Sequence, residues 1–135
     1  MIRKIEHLGI AVKNIEESIA MYESLLGTNC YKTEIVESES VRTAFFHIGE
    51  SKIELLEATD PSSPIAKFLE KKGAGFHHVA FDVEDIDKEL KRLKDLGFML
   101  IHETAKSGAD NKRIAFLHPK STDGVLVELC QEKEG

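Results

Sequence analysis

The sequence predicts an α+β fold in which two tandem β-α-β-β-β modules form a curved, eight-stranded mixed sheet around a metal cleft. Three observations carry that prediction. The run His7-Leu8-Gly9-Ile10-Ala11-Val12 returns as His78-Val79-Ala80-Phe81-Asp82-Val83, each a strand-like stretch opened by histidine. Each run leads into a capped, amphipathic helical segment closed by glycine, Gly27 in the first copy and Gly97 in the second. Each copy then turns β-rich and ends on a carboxylate set among apolar residues, Glu54 in Ile53-Glu54-Leu55-Leu56 and Glu128 in Val127-Glu128-Leu129.

In the first copy, strand alternation puts His7, Gly9 and Ala11 on one face. Asn14 is the expected N-cap, with Glu17 at capping-box spacing. Ile15, Ile19, Tyr22, Leu25 and Leu26 then recur at helical spacing, and Gly27 stops the helix. Strands are expected over 30–36, 41–48 and 52–57. The turn-rich Ala58-Thr59-Asp60-Pro61-Ser62-Ser63-Pro64 follows, and Ile65, Phe68 and Leu69 mark a short helix that runs to Lys72. In the second copy Asp85 is the cap, Ile86, Leu90, Leu93 and Leu96 are the helix stripe, and strands are expected over 99–103, 113–117 and 125–130. Lys106-Ser107-Gly108-Ala109-Asp110-Asn111 reads as a polar loop between strands, of the kind that closes over ligands. The expected organisation is one domain, 1–135, with module one at about 3–58, a connecting turn and helix at 59–74, and module two at about 75–132.

A chain of 135 residues with 41% hydrophobic content can bury one real core and is too short for two large ones. The net charge of −6 argues against general nucleic-acid binding, which needs a concentrated basic surface. A small anionic ligand needs only a few cations, and Lys67 with Lys71 and Lys72, Lys112 with Arg113, and Lys120 offer them. Cys30 and Cys130 form no disulfide framework, the N-terminus resembles no signal, and no apolar run approaches membrane-spanning length. A soluble cytoplasmic protein is expected, with no membrane partner.

If equivalent strands take equivalent places, His7, Glu54, His78 and Glu128 converge as four ligands for one hard or borderline divalent metal. Burying an ionised carboxylate without a partner costs several kcal/mol, and both Glu54 and Glu128 sit inside apolar strands. Among the other histidines, alternation points His77 to the face opposite His78, and His47, His102 and His118 lack repeat partners. His118, in Phe116-Leu117-His118-Pro119-Lys120, has the most site-like setting of these. Cys130 shares a face with Glu128 and reads as a small buried hydrophobe.

Gly75-Phe76-His77-His78-Val79-Ala80-Phe81, Phe116-Leu117-His118-Pro119-Lys120-Ser121 and Gly124-Val125-Leu126-Val127-Glu128-Leu129-Cys130 resemble the methylmalonyl-CoA epimerase family of the vicinal oxygen chelate (glyoxalase/bleomycin resistance/dioxygenase) superfamily. His7 to Val12, Lys52-Ile53-Glu54-Leu55-Leu56-Glu57 and Ser63 to Leu69 extend the likeness over nearly the whole chain. The resemblance implies a homodimer and a divalent metal held by His7, Glu54, His78 and Glu128. Cobalt or manganese is favoured by the resemblance, while the N/O ligand set also admits zinc, nickel or iron. The implied reaction interconverts (R)- and (S)-methylmalonyl-CoA by proton transfer at the α-carbon through a metal-stabilised enolate, with Glu128 as the first base and Glu54 as its substitute partner. Several relatives carry a second Glu where this chain has Thr43, and threonine is no ordinary general base near neutral pH. Lys112, Arg113 and Lys120 are candidates to meet the CoA phosphates, and Ser63 opens a helix that could face the ligand.

Three other readings use the same residues. A glyoxalase I-type lyase shares the metal pattern, but the chain's arginines, Arg3, Arg42, Arg92 and Arg113, form no glutathione-type cluster in sequence. An extradiol dioxygenase uses two histidines and one glutamate on iron, and Glu54 counts against it. A metal-free ligand-binding module of the same fold is the third.

Overall fold

The computed structural model describes residues 1–134. Its elements are β1 (Ile2–Ala11), α1 (Ile15–Leu26), β2 (Lys32–Val36), β3 (Val41–Ile48), β4 (Ser51–Ala58), α2 (Pro64–Lys72), β5 (Gly75–Val83), α3 (Ile86–Asp95), β6 (Lys106–Gly108), β7 (Lys112–Leu117) and β8 (Val127–Glu132). The order β-α-β-β-β thus occurs twice, with α2 between the copies. Eight strands of mixed direction and three helices realise the expected α+β class.

Local chemistry fixes the helix starts, and the end of α1, where the sequence puts them; α3 instead ends at Asp95, with Leu96 an exposed C-cap rather than part of the buried stripe. Asn14 accepts the Glu17 amide at 3.1 Å and Asp85 accepts the Lys88 amide at 3.2 Å, so each cap satisfies a donor that the first helical turn leaves over. Gly27 ends α1 in the left-handed conformation, φ 69°, which only glycine adopts without strain. In α2 the cap is Ser63, whose hydroxyl accepts the Ile65 amide at 3.1 Å, with Pro64 in the first turn where its missing N–H costs nothing.

Contacts gather the chain into two compact units, Leu8–His77 on one side, and Met1–His7 with the residues from His78 onward on the other. Both boundaries fall inside strands, β1 and β5. In Leu8–His77 the strand order is β2-β3-β4-β1, with β3 antiparallel to both its neighbours. One face packs Val12, Ile15, Ala44, Phe46 and Leu55 against the α1 side chains Ile19, Tyr22 and Leu26. The other buries Ala11, Val41, Leu56 and Ile65 with Phe68 and Leu69 of α2. Glu54, one residue from Leu55 and opposite Phe45, alternates onto this second face.

In the other unit the strand order is β1-β5-β8-β7-β6, with β5 parallel to β8 and β7 antiparallel to β8 and β6. Val83, Ala115, Leu117 and Leu129 pack beneath Ile86, Leu90 and Leu93 of α3. The opposite face carries Ala80, Ile114, Cys130 and Phe116. His78 and Glu128 lie on it too, because Ala80 pairs with Glu128 and Phe116 pairs with Glu128 across the neighbouring strands.

The expected strand over 99–103 and the expected loop over 106–111 need correction. Residues 99–103 keep only an isolated bridge, Leu100 to Leu117, with the Ile101 amide on the Phe116 carbonyl at 2.8 Å. The ladder then breaks: the Phe116 amide is taken by the His102 ring Nδ1 at 3.1 Å in place of a backbone carbonyl. Regular pairing resumes as β6, with Lys106 opposite Ile114 and Gly108 opposite Lys112. A side chain thus interrupts the edge strand, and its regular part lies in the polar segment. Gly108 is needed there because a Cβ would stand 2.8 Å from Ile114 Cγ2.

Candidate metal centre

β1, β5 and β8 bring His7, His78 and Glu128 together within one unit. All three are buried, with 6, 7 and 5% of their surface exposed. The Nε2 atoms of the two histidines are 3.0 Å apart, and Glu128 Oε1 lies 3.1 Å from His7 Nε2 and 2.9 Å from His78 Nε2. The rings meet edge to face at 86°, and Phe116 packs edge-on against the outer side of His78, ring centroids 5.6 Å apart.

Three potential ligand atoms within 2.9–3.1 Å of each other form a face that could hold a divalent cation. Metal bonds of about 2.1 Å to imidazole nitrogen or carboxylate oxygen put adjacent octahedral ligands about 3.0 Å apart, and tetrahedral ones about 3.4 Å. The observed triangle fits the octahedral spacing. Its donor set, two nitrogens and one oxygen without thiolate, suits manganese, cobalt, iron, nickel or zinc.

With no cation between them, burial raises the Glu128 carboxyl, while hydrogen bonds from His7 and His78 and their positive charge more than reverse this and bring it to about 2; a cation would take the place of those protons. Glu128 is therefore an anionic donor at neutral pH. Cys130, fully buried on the same strand, has its thiol pushed up by burial and then by the charge of Glu128. It stays protonated and donates to the Phe81 carbonyl at 3.5 Å, the small-hydrophobe role expected of it.

Glu54 is buried in β4, 5% exposed, and carries interactions of its own. Thr43 is buried as well, and its hydroxyl donates to the Glu34 carbonyl at 3.0 Å, so its one proton is committed to the backbone. Of the expected substrate contacts, Arg113 forks onto Asp87 of α3 with N–O distances of 3.0 and 3.2 Å, and alternation puts buried Lys112 on the other face of β7, that of Ile114 and Phe116. Lys120 is exposed in the 3-10 turn Pro119–Ser121, and Ser63 is the α2 cap. The remaining histidines have local duties. His118 caps that 3-10 turn by accepting the Lys120 amide, His77 packs on Phe68, His47 stacks on Tyr31, and His102 interrupts the edge strand.

Sequence reasoning missed Glu6. Strand alternation puts consecutive side chains on opposite faces, yet Glu6 and His7 are both buried and Glu6 Oε1 lies 3.1 Å from His7 Nδ1. A carboxylate directly before a candidate ligand histidine is the one signal that could have flagged it.

Comparison with known proteins gives a consistent picture. The model of the family described as Glyoxalase/Bleomycin resistance protein/Dioxygenase superfamily matches residues 6–116. The ethylmalonyl-CoA/methylmalonyl-CoA epimerase of Cereibacter sphaeroides is 40% identical over 97% of this chain and 99% of its own length. The crystal structure of the Mycobacterium tuberculosis methylmalonyl-CoA epimerase superposes with a TM-score of 0.95 at 37% identity, covering 98% of this chain and 90% of that one. A Streptomyces coelicolor methylmalonyl-CoA epimerase variant in complex with 2-nitronate-propionyl-CoA gives a TM-score of 0.94 at 34% identity, covering 98% and 96%.

Proposed function

Because the chain belongs to the Glyoxalase/Bleomycin resistance protein/Dioxygenase superfamily, we propose that it is a metal-dependent methylmalonyl-CoA epimerase that interconverts the (R) and (S) thioesters. The observation that carries this reading is the buried triangle of His7, His78 and Glu128, set in a chain 40% identical to an ethylmalonyl-CoA/methylmalonyl-CoA epimerase over nearly the whole of both. Glu54 is the fourth ligand in this proposal, supported by its repeat relation to Glu128 and by its burial inside an apolar strand.

A divalent cation held by His7, Glu54, His78 and Glu128 would supply Lewis-acid stabilisation of negative charge on the thioester oxygen. The chain's own part is proton transfer. Epimerisation requires the α-proton to leave one face of the carbon and a proton to return on the other, with the planar thioester enolate between. Glu128, ionised at neutral pH, is the proposed proton acceptor, and Glu54 is the proposed second carboxylate of the site. Thr43, its hydroxyl committed to Glu34, takes no part in proton transfer. Phe116, packed on His78, and the buried Ala80 and Ile114 on the same face lower the local polarity and would strengthen these interactions.

The substrate in this proposal is an acyl-CoA; of the cations expected at its phosphates, Lys120 is exposed, whereas Arg113 is paired with Asp87 and Lys112 is buried on the other face of β7, and Ser63 caps the start of α2. A homodimer, implied by the family resemblance, is part of the same proposal, and two free cysteines fit a reducing compartment such as the cytoplasm. Among the described residues no helix is long and apolar enough to cross a membrane. The proposal is tested by giving metal-loaded protein pure (S)-methylmalonyl-CoA and following the (R) form with a stereospecific coupling enzyme. Appearance of the (R) form at catalytic protein concentration supports it; an unchanged (S) pool with cobalt and with manganese rejects it.

A further inference from the structure

We propose that Glu6 is a positioning residue: its carboxylate accepts the Nδ1 proton of His7 and thereby fixes the tautomer that presents the Nε2 lone pair to the cation. This rests on the reading of His7, His78 and Glu128 as metal ligands.

The argument starts from what each group can donate. Glu6 Oε1 and His7 Nδ1 are 3.1 Å apart, and in the proposed arrangement the carboxylate accepts there, which puts the shared proton on the imidazole. A neutral imidazole carries one proton, so Nε2 is left as a lone pair. That nitrogen is the one at the triangle, 3.0 Å from His78 Nε2 and 3.1 Å from Glu128 Oε1. A negative partner on the far nitrogen also makes the near one a stronger electron donor.

Burial makes a purely space-filling role a poor account. Glu6 is 3% exposed, and an apolar side chain at that position would avoid the cost of burying a charge. Its sequence neighbour would ordinarily face the other side of the sheet; here both side chains turn inward and meet. Cys130 does not compete for His7: a carboxylate oxygen of Glu6, a ring nitrogen of His7 and the Cys130 sulfur lie within 4.8 Å of one another, but the thiol proton is used on Phe81. The second histidine is preceded by His77 instead, which packs on Phe68, so the doubled motif is tuned differently in its two copies.

The experiment compares the wild type with Glu6→Gln, which keeps a neutral acceptor, and Glu6→Leu, which keeps the volume and removes the acceptor. Cobalt affinity is measured by competition with a chelator, and the His7 ring is followed by nitrogen-15 shifts in the metal-free protein. The expected order of affinity is wild type, Gln, Leu, with a loss of roughly 10- to 100-fold at Leu. At a pH where the ring is neutral, the His7 shifts should move from a single Nδ1-protonated form toward a tautomer mixture while metal-free thermal unfolding stays cooperative. Cobalt affinity of both variants within twofold of wild type, or unchanged His7 shifts, overturns the proposal and leaves the epimerase reading standing. Graded affinity in a protein that does not epimerise methylmalonyl-CoA supports the positioning role and rejects the epimerase reading.

Discussion

The Nε2 atoms of His7 and His78 stand 3.0 Å apart although 71 positions separate them in the chain, and Glu128 Oε1 closes a triangle with both. Each histidine starts its own copy of the repeat, so the contact is where the doubling of the sequence becomes a single chemical site. Three lone-pair donors held this closely repel one another unless a proton or a cation lies among them, and the spacing suits a cation.

Metal binding should therefore stabilise the fold. Adding cobalt or manganese at about 100 times its dissociation constant should contribute about 2.7 kcal/mol to unfolding free energy. Thermal unfolding of the metal-stripped and reloaded protein reads this as a rise in Tm. His78→Ala should remove the rise, because it deletes one corner of the triangle.

The two glutamates should separate by role. Glu128→Gln should abolish epimerisation, since it removes both the anionic ligand and the proposed base. Glu54→Gln should retain metal and lose only part of the rate, since an amide oxygen can still coordinate. Metal content and initial rates on the two purified variants check this, and full activity in Glu128→Gln contradicts it.

Acid sensitivity should reach Glu89, buried in α3. The Arg92 guanidinium, and behind it the Met1 ammonium, hold its carboxyl below the ordinary value against the opposing effect of burial. A group whose pKa is depressed by folding adds stability above its unfolded pKa, and that contribution is lost as pH falls through the folded one. Glu89→Gln should cost about 1–2 kcal/mol at neutral pH, discounted for the exposed Arg92, and the difference from wild type should shrink in acid. Urea unfolding at neutral and acidic pH measures both.

Helix caps and the packed face of β8 should show their ordinary worth. Asp85→Ala removes the acceptor of the Lys88 amide and should cost about 1 kcal/mol. Leu129→Ala, 1% exposed beneath α3, should cost about 2–5 kcal/mol by opening a cavity. Denaturant midpoints with unchanged slopes are the expected signature of both.

What the sequence made legible was whatever depends on local grammar. Asn14, Asp85 and Gly27 act through neighbours within a few residues, so their roles follow from spacing alone. The His7, His78 and Glu128 triangle was legible for a different reason: duplication repeats the local pattern, and equivalence supplies the long-range pairing that one strand cannot reveal. Where a tertiary contact overrides the period, the reading fails. His102 displaces a backbone acceptor and moves the regular edge strand to Lys106–Gly108, a segment with no apolar residue to announce it. Glu6 escaped notice because strand alternation assigns it the wrong face, and only the paired burial of Glu6 and His7 reveals the contact.

The most direct measurement is exchange of the methylmalonyl-CoA α-proton for deuterium, run on metal-stripped enzyme, on metal-restored enzyme and on metal-loaded Glu128→Gln. The account predicts rapid exchange only in the restored wild type, accompanied by inversion at the α-carbon. Equal exchange in the stripped and restored protein, or wild-type exchange in Glu128→Gln, would contradict it.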